Sequence, residues 1–286
     1  MKKWLLLFTF IIAAFAAPFT NASAAQNYDQ QTKSKKCNQQ AVSPLSSAHA
    51  HNDYWHNRPL FDALDQGFTS VEADIFLVDG ELLVGHDREE LSPERTLKSL
   101  YLDPLMERVN SNHGAVYPCY KQEFLLWIDI KTDGENAYRV LNEQLRQYQK
   151  MLTKSTPKKV KQGAVTVIIS GDRPRTLMEN QRIRYAAYDG RLSDLGSDVS
   201  NKFMPVISDD WQENFTWMGE GEMPKEEREK LNKIVATAHA NGQKVRFWAN
   251  PDDPSPEREA VWNELLKAGV DLIGTGDLAG FREFMQ

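Results

Sequence analysis

The sequence predicts an α/β protein, namely a single (β/α)8 TIM barrel that need not be regular, with a small β-hairpin after strand two. Three observations lead to this fold class. Eight apolar runs of strand length are nearly all separated by segments of helical periodicity, which favours a parallel sheet. A domain of roughly 250 residues is typical of a closed barrel. No glycine-rich phosphate loop follows the first predicted strand, which disfavours a doubly wound sheet.

The elements follow from the apolar pattern along the chain. The strands are predicted at 45–50, 70–76, 124–130, 164–170, 183–187, 203–208, 244–249 and 271–274. Helices are predicted where apolar residues recur every three or four positions, several of them starting at proline or acidic residues and ending at glycine. They are 59–66, 96–110, 136–151, 224–241, 255–268 and a last helix from Asp277. The pair Asp79-Gly80 predicts the hairpin turn.

Composition places the chain among ordinary globular proteins. Of its 286 residues, 41% are hydrophobic and 26% are charged, which excludes a disordered or collagen-like chain. There are 34 basic and 40 acidic side chains. We expect no nucleic-acid partner, because phosphate backbones are bound by clustered lysine and arginine. The 2 cysteines are too few for a disulfide scaffold or a four-thiolate zinc site.

The first 25 residues have the pattern of a secretory signal peptide. A short positive start precedes an apolar run at 4–19, and small residues in an A-x-A arrangement follow. The run is shorter than the roughly 20 residues that span a membrane. We therefore expect residues 1–25 to be removed, 26–41 to form a polar leader, and 42–286 to form the barrel domain of an exported, periplasmic or extracellular protein.

The two cysteines suit that oxidising environment. Cys37 and Cys119 each precede a predicted strand start, so both could lie at the same end of a barrel. Because exported cysteines are usually oxidised, we predict a Cys37–Cys119 disulfide. Two free thiols are the alternative.

Acidic residues on neighbouring strands predict a metal site. Glu72 and Asp74 are two residues apart and therefore share one face of strand two, and Asp129 ends strand three. Carboxylates in a barrel mouth are costly without a cation or a paired donor. Because Mg²⁺ and Ca²⁺ prefer oxygen ligands, we expect these three acids to bind one divalent cation of that kind.

Basic residues flank the same predicted site. His51 ends strand one, His86 follows the hairpin, and Lys131 shares a face with Asp129. Histidine can move protons near neutral pH, and lysine can neutralise an anionic substrate. A cation, two histidines and a lysine together suit phosphodiester cleavage. Each residue alone is more often structural, and their joint placement at successive strand ends is what favours catalysis.

These motifs together resemble the superfamily of phosphatidylinositol-specific phospholipases C and glycerophosphodiester phosphodiesterases. The matching segments are His51, 72–74, 80–87, 129–131, 245–250 and 269–277. The opening run 49–54, His-Ala-His-Asn-Asp-Tyr, is similar to the branch that includes fungal altered inheritance of mitochondria protein 6. That similarity extends from Ser47 almost to the end of the chain.

The resemblance implies a TIM-barrel phosphoric diester hydrolase that acts on a small-molecule or lipid phosphodiester, with transient contact to a membrane surface as an open possibility. It implies roles for eight residues: metal ligands Glu72, Asp74 and Asp129; acid and base His51 and His86, in either order; phosphate-holding Lys131; and substrate contacts Asn52 and Trp248. An additional metal-binding glutamate of the glycerophosphodiesterases is absent after position 58. The alcohols on either side of the phosphate therefore stay undefined.

Other residues leave alternatives open. His49 and His51 also match the first motif of amidohydrolases, but those enzymes need further histidines on strands five and six. We interpret His49 as a supporting residue. A non-catalytic exported binding barrel is a further alternative. The polar residues after strands four to six either contact the head group or are solvated: Asp172, Arg173, Arg175, Asp189, Arg191, Asp209 and Asp210. The apolar segment 211–218 either packs in the core, or covers the pocket or touches lipid.

Overall fold

The computed structural model describes residues 42–286 and Met1. Residues 42–286 belong to one compact unit. The predicted signal peptide, the polar leader and Cys37 lie outside the described residues. The export of the chain and the Cys37–Cys119 disulfide therefore stay predictions, although no cysteine in the described part of the chain is a free thiol.

Eleven strands occur between residues 42 and 286. They are β1 (Leu45–Ala50), β2 (Phe68–Val78), β3 (Glu81–Val84), β4 (Phe124–Ile130), β5 (Lys154–Ser155), β6 (Val160–Lys161), β7 (Val165–Gly171), β8 (Ala186–Gly190), β9 (Val206–Asp210), β10 (Lys244–Trp248) and β11 (Leu272–Thr275). Eight of them are parallel and close into a barrel in the order β1, β2, β4, β7, β8, β9, β10, β11, with β11 pairing with β1. The predicted (β/α)8 barrel is confirmed.

The hairpin after strand two is also confirmed. β3 pairs antiparallel with the end of β2. The turn between them has positive φ at both central residues, 49° at Asp79 and 88° at Gly80. Such a turn matches the twist of the strands and explains the Asp-Gly pair. The hairpin carries the chain across the barrel mouth toward His86.

Helices surround the barrel. They are α1 (Phe61–Asp65), α2 (Asp103–Ser111), α3 (Gly134–Gln147), α4 (Arg175–Glu179), α5 (Trp211–Asn214), α6 (Lys225–Ala240), α7 (Pro256–Ala268) and α8 (Leu278–Phe284). The ends of α7 follow known helix signals. The Ser255 hydroxyl accepts the backbone N–H of Arg258 at 3.1 Å, and Gly269 ends the helix with φ of 82°. The predicted helix 96–110 is instead a π-helical turn at Lys98–Leu102 followed by α2.

Two predicted strands begin three residues too early. The prediction 183–187 corresponds to β8, and 203–208 corresponds to β9. Ile183 suggests a buried strand start, but its side chain is 49% exposed, and Arg184 forms an isolated bridge with Ser155. As a result Asp189 lies inside β8 and is not in the following loop, and Asp209 and Asp210 lie inside β9.

Apolar side chains fill the lower part of the barrel. They are Leu125, Trp127, Ile168, Ala187, Val206 and Leu272, and they form a cluster separate from the larger core that includes the helices. Since strand residues alternate in direction, the next inward positions toward the carboxyl ends hold the polar residues of the site. The apolar floor therefore fixes the depth of the cavity above it.

The apolar segment 211–218 packs in the core. Trp211 is fully buried, its ring centroid lies 4.2 Å from that of Phe215, and its Nε1 donates to the carbonyl of Trp217 at 3.0 Å. Of the two alternatives that the sequence leaves for this segment, core packing is the one observed. In the described part of the chain, no helix has the length and apolar character needed to cross a membrane.

Candidate active site

A cavity of about 340 Å³ opens at the carboxyl ends of the barrel strands. It is lined by His51, Asn52, Glu72, Asp74, His86, Asp129, Lys131, Ser170, Arg191, Arg246 and Trp248. All eight residues that the resemblance implies are in this lining. Ser170 and Arg246 are additional, and Arg191 is one of the loop residues for which the sequence leaves two alternatives.

Three carboxylates converge at the base of this cavity. Glu72 and Asp74 lie on the inward face of β2, and the strand register places Asp74 directly opposite Asp129 of β4. One oxygen from each of the three side chains lies within 4.8 Å of the others. Glu72 and Asp74 are buried. The arrangement offers three hard oxygen donors to one ion.

The three acids destabilise one another's charged forms. Burial, together with the negative charges of Asp74 and Glu72, raises the pKa of Asp129 to about 7. Burial and the charge of Glu72 also raise the pKa of Asp74. Carboxylates with raised pKa values in a closed site indicate a need for positive charge. The donor set therefore fits a divalent cation.

Glu72 has a cationic partner of its own. Arg246 Nη2 donates to Glu72 Oε2 at 2.8 Å, and the guanidinium lies 4.7 Å from the ring centre of Trp127 in the barrel floor. Burial opposes ionisation of Glu72. The Arg246 charge and the His49 hydrogen bond outweigh that effect, so the pKa of Glu72 is lowered. Glu72 is thus held as a carboxylate in the deepest part of the cavity.

His49 is a supporting residue of Glu72 in this geometry. Its Nε2 lies 3.2 Å from Glu72 Oε2 and its Nδ1 lies 2.7 Å from the hydroxyl of Ser70. Complete burial and the nearby Arg246 charge lower the pKa of His49 to about 3, so the ring is neutral. We assign the proton to Nε2, which then donates to Glu72 while Nδ1 accepts from Ser70.

Asp74 is held by three donors on one oxygen. The Tyr54 hydroxyl lies 2.7 Å from Asp74 Oδ2, and Lys131 Nζ and His86 Nδ1 each lie 3.0 Å from it. Burial would lower the pKa of Lys131, but the charges of Asp74 and Asp129 outweigh it and raise that pKa. Asp74 therefore connects Lys131 with His86, which sits after the hairpin.

The rim of the cavity carries His51 and His86. The His51 side chain is 38% exposed, and its Nε2 lies 3.9 Å from Glu72 Oε2. Asn52 follows in a left-handed conformation with φ of 49°, which asparagine tolerates, and it turns the chain away from the barrel. The His86 side chain is 40% exposed, and its ring centroid lies 5.3 Å from that of Trp55. Both histidines can therefore reach a ligand in the cavity.

The opposite wall is built around Asp189. This fully buried carboxylate accepts hydrogen bonds from the hydroxyls of Ser170 at 2.8 Å and Ser208 at 2.6 Å, and it pairs with the guanidinium of Arg191. The guanidinium also lies 4.7 Å from the ring centre of Trp248. Asp189 is thus a structural residue behind the wall, whereas Arg191 faces the cavity.

Several other polar residues serve local structure. Asp172 Oδ2 accepts the N–H of Gly134 at the start of α3, and Asp209 Oδ2 accepts the N–H of Leu192. Asp210 caps α5. Neither His113 nor His239 lines the cavity. The amidohydrolase alternative therefore lacks the further histidines that it requires.

Arg246 and Tyr54 belong to the site but are not predicted from the sequence. Arg246 lies two residues before Trp248 on β10 and so points to the same face of that strand. A charged residue between the apolar Val245 and Phe247 is the signal that could have found it. Tyr54 is within the quoted run 49–54, but only the folded loop shows that its hydroxyl reaches Asp74.

Comparisons with known proteins identify a matching family and several relatives of this chain. Residues 38–189 match the family described as AIM6-like phosphodiesterase domain. The altered inheritance of mitochondria protein 6 homolog of Arthroderma benhamiae is 32% identical over 254 residues, which cover 80% of this chain and 81% of that protein. The altered inheritance of mitochondria protein 6 of Eremothecium gossypii is 31% identical over 277 residues, covering 85% and 70% respectively.

A solved structure has the same fold. It is a glycerophosphoryl diester phosphodiesterase from Parabacteroides distasonis, with a TM-score of 0.50 and 14% identity over 90% of each chain. At this level of identity the similarity concerns the barrel architecture alone.

Proposed function

The chain belongs to the AIM6-like phosphodiesterase family, and on that premise we propose that it is a phosphoric diester hydrolase dependent on one divalent cation. The observation that carries the proposal is the convergence of three carboxylates, two histidines and a lysine in one cavity. Three acids at this separation would repel one another without a cation. Two rim histidines can serve as the general acid and the general base at a diester.

The proposed cation ligands are Glu72, Asp74 and Asp129. The contacts from Arg246 and His49 are both made to Oε2 of Glu72, and the three donors to Asp74 all contact Oδ2. The second oxygen of each carboxylate is thereby available as a ligand. Mg²⁺ or Ca²⁺ suits such oxygens and, when bound, would neutralise charge on the non-bridging oxygens of the diester.

Lys131 is proposed to hold the phosphate. Its Nζ lies 3.0 Å from Asp74 and 3.8 Å from Asp129, at the edge of the acid cluster. From there it can donate to a non-bridging oxygen and stabilise the additional negative charge of the transition state. Asn52 and Trp248 would contact the alcohol parts of the substrate.

The two histidines are proposed to move the protons. We assign His51 as the base, which removes a proton from the attacking water, and His86 as the acid, which protonates the departing alkoxide. The new P–O bond to water forms as the ester P–O bond breaks, so that one alcohol and one monoester result. The hydrogen bonds of the His86 ring are made through Nδ1, which leaves Nε2 for proton exchange. The reverse assignment uses the same groups.

We also propose that the protein is exported. The support is the signal-peptide pattern of residues 1–25. The substrate would then be a small-molecule or lipid phosphodiester outside the cytoplasm. Transient membrane contact would involve Trp55, an exposed aromatic side chain whose ring contacts His86 at the cavity. Amino-terminal sequencing should show that the mature protein begins close to residue 26. Retention of Met1 would contradict export through a cleaved signal peptide.

Turnover of bis(p-nitrophenyl) phosphate tests the proposed activity. We expect hydrolysis that chelation with EDTA abolishes and that added Mg²⁺ or Ca²⁺ restores. His51→Ala and His86→Ala should each lower the rate by about 10²- to 10⁴-fold. The matched control is His239→Ala, because His239 lies on the outer helix α6 and contacts Asp271. Equal rates in wild type and His51→Ala, or turnover that persists in EDTA, would contradict the proposal.

A further inference from the structure

One wall of the cavity supplies no group for the proposed proton transfers or for cation binding. Glu72, Asp74, Asp129 and Lys131 all come from β2 and the end of β4. The side formed by β7, β8 and β10 contributes Ser170, Arg191 and Trp248, and none of these is needed for proton transfer or for the cation.

Arg191 is held rigidly in this wall. Its Nη1 contacts the fully buried Asp189 and lies 3.2 Å from the Ser208 hydroxyl, while its Nη2 lies 3.3 Å from the Ser170 hydroxyl. Its backbone N–H donates to Asp194 at 3.1 Å. Burying a carboxylate such as Asp189 is unfavourable unless it is fully paired. Here the pairing fixes one guanidinium in the lining of the cavity.

Trp248 lies beside a guanidinium group in this wall. An exposed tryptophan in a pocket commonly attracts a cationic ligand over its ring. In this protein the guanidinium of Arg191 already lies 4.7 Å from the ring centre of Trp248. A cationic head group at Trp248 would therefore lie beside a like charge. The wall instead offers a planar donor group, which suits a carboxylate or a phosphate.

Charge balance in the cavity leaves this wall available for a second anion. With a divalent cation bound, the charges of the three acids, Lys131 and Arg246 sum to one positive charge. The single negative charge of the diester neutralises it. Asp189 lies behind the wall with both oxygens occupied, so the Arg191–Asp189 pair presents its positive end to the ligand.

The distances suit a small substrate. Ser170 pairs in register with Asp129 on the neighbouring strand, and Arg191 Nη2 contacts Ser170. The guanidinium therefore lies one to two strand spacings, about 5 to 10 Å, from the acid cluster. Two phosphates attached to one short polyol have a comparable separation.

We infer that Arg191 and Trp248 form a second anion subsite, and that the preferred diester carries a further phosphate or carboxylate on the group that lies against this wall. This inference rests on the proposed function, because it uses the cation-loaded cavity. It makes Arg191 the residue that determines specificity. Diesters with a cationic head group should be poor ligands.

Direct measurement of ligand binding tests the inference separately from turnover. The probes are glycerol 1,3-bisphosphate, glycerol 3-phosphate and phosphocholine, titrated calorimetrically into the full chain with Mg²⁺. We expect the bisphosphate to bind at least tenfold more tightly than the monophosphate, and phosphocholine to bind more weakly than either. The double variant Asp189→Asn/Arg191→Gln avoids an unpaired buried acid and should lose the preference for the second phosphate.

The control is Arg228→Gln, which removes an equal charge from an ion pair with Glu264 between α6 and α7. It should keep the wild-type ratio of affinities. If the Asp189→Asn/Arg191→Gln variant also keeps that ratio while its circular dichroism spectrum is native, the inference is wrong. The inference is also wrong if the wild-type protein binds phosphocholine as tightly as the bisphosphate.

Turnover measurements with two probes distinguish a soluble substrate from a lipid substrate. Glycerophosphoglycerol phosphate is the soluble probe, and phosphatidylglycerol phosphate in phosphatidylcholine vesicles is the lipid probe. Each probe is compared with the same compound lacking the extra phosphate. Faster cleavage of the phosphorylated compound in either pair supports the subsite. The pair that is cleaved faster shows whether the substrate is soluble or a lipid. Equal rates with and without the extra phosphate in both classes contradict the subsite. Absence of turnover on every diester contradicts the proposed function, and the binding ratio still decides the subsite.

Discussion

The guanidinium of Arg246 donates a 2.8 Å hydrogen bond to Glu72 inside the barrel, where Arg246 is only 2% exposed. Because of this pair, the pKa of Glu72 shifts in the opposite direction from the pKa values of the other two acids. The pKa of Glu72 is lowered, whereas the pKa values of Asp74 and Asp129 are raised. The cavity therefore contains one carboxylate that is always charged and two whose charge depends on what the cavity holds.

Removal of Arg246 should destabilise the fold. Arg246→Met leaves Glu72 buried beside two other acids, and breaking a buried pair in this way costs about 3–5 kcal/mol. Urea unfolding in EDTA measures this change. The double variant Glu72→Gln/Arg246→Met removes both charges and should recover most of the loss. If the single and double variants have equal stability, the pair does not act as described.

Tyr54 should support cation binding. Tyr54→Phe removes the 2.7 Å hydrogen bond to Asp74, and loss of such a supporting contact typically weakens metal affinity by about 10- to 100-fold. Calorimetric titration with Ca²⁺ or Mg²⁺ measures it. The matched control is Tyr117→Phe, whose hydroxyl donates to the Phe68 carbonyl at 2.7 Å, away from the cavity. Equal losses of affinity in the two variants would show a general effect on stability.

Cation affinity should depend on pH through Asp129. Burial and the neighbouring acids raise the pKa of Asp129 to about 7, so a proton must leave this group when the cation binds at lower pH. The apparent affinity should therefore rise by up to about tenfold per pH unit between pH 5 and 7 and then level off. Titrations at pH 6 in buffers of different ionisation enthalpy should reveal proton release. Asp129→Asn should bind weakly, with less pH dependence.

Asp53 should make folding stability depend on pH. Its carboxylate accepts hydrogen bonds from the Leu60 N–H and the Tyr101 hydroxyl through Oδ2, and within residues 42–286 its Oδ1 has no hydrogen-bond partner. Burial raises the pKa of Asp53 from 3.8 to about 7. Because the folded pKa is above the unfolded value, the folded state retains a proton that the unfolded state releases. The stabilisation is complete below pH 4 and is lost as the pH rises through 7.

The variant Asp53→Asn isolates that contribution, because its amide oxygen can accept both hydrogen bonds without titrating. Between pH 4 and 8 the unfolding free energy of wild type should fall relative to the variant by up to about 4 kcal/mol. Urea unfolding at several pH values gives the difference. A difference that is constant across this range would show that Asp53 is ionised in the folded protein throughout.

Residues with local signals could be predicted from the sequence, and residues defined by distant contacts could not. Alternation on β2 shows that Glu72 and Asp74 share a face, and the Asp79-Gly80 pair shows the hairpin. The predicted start of β8 was wrong because Ile183 looks like the first residue of a buried strand but is exposed. The Arg246–Glu72 pair joins residues 174 positions apart, and no local pattern indicates such a contact.

The proposed phosphodiesterase activity is tested most directly by ³¹P NMR of a panel of phosphodiesters incubated with the purified protein. With Mg²⁺ or Ca²⁺, we predict that a diester resonance is replaced by that of a monoester. EDTA should prevent the change, and His51→Ala and His86→Ala should slow it by about 10²- to 10⁴-fold. If no diester of the panel is cleaved with either cation, the proposed activity is contradicted. Equal cleavage in EDTA would contradict the proposed dependence on a cation.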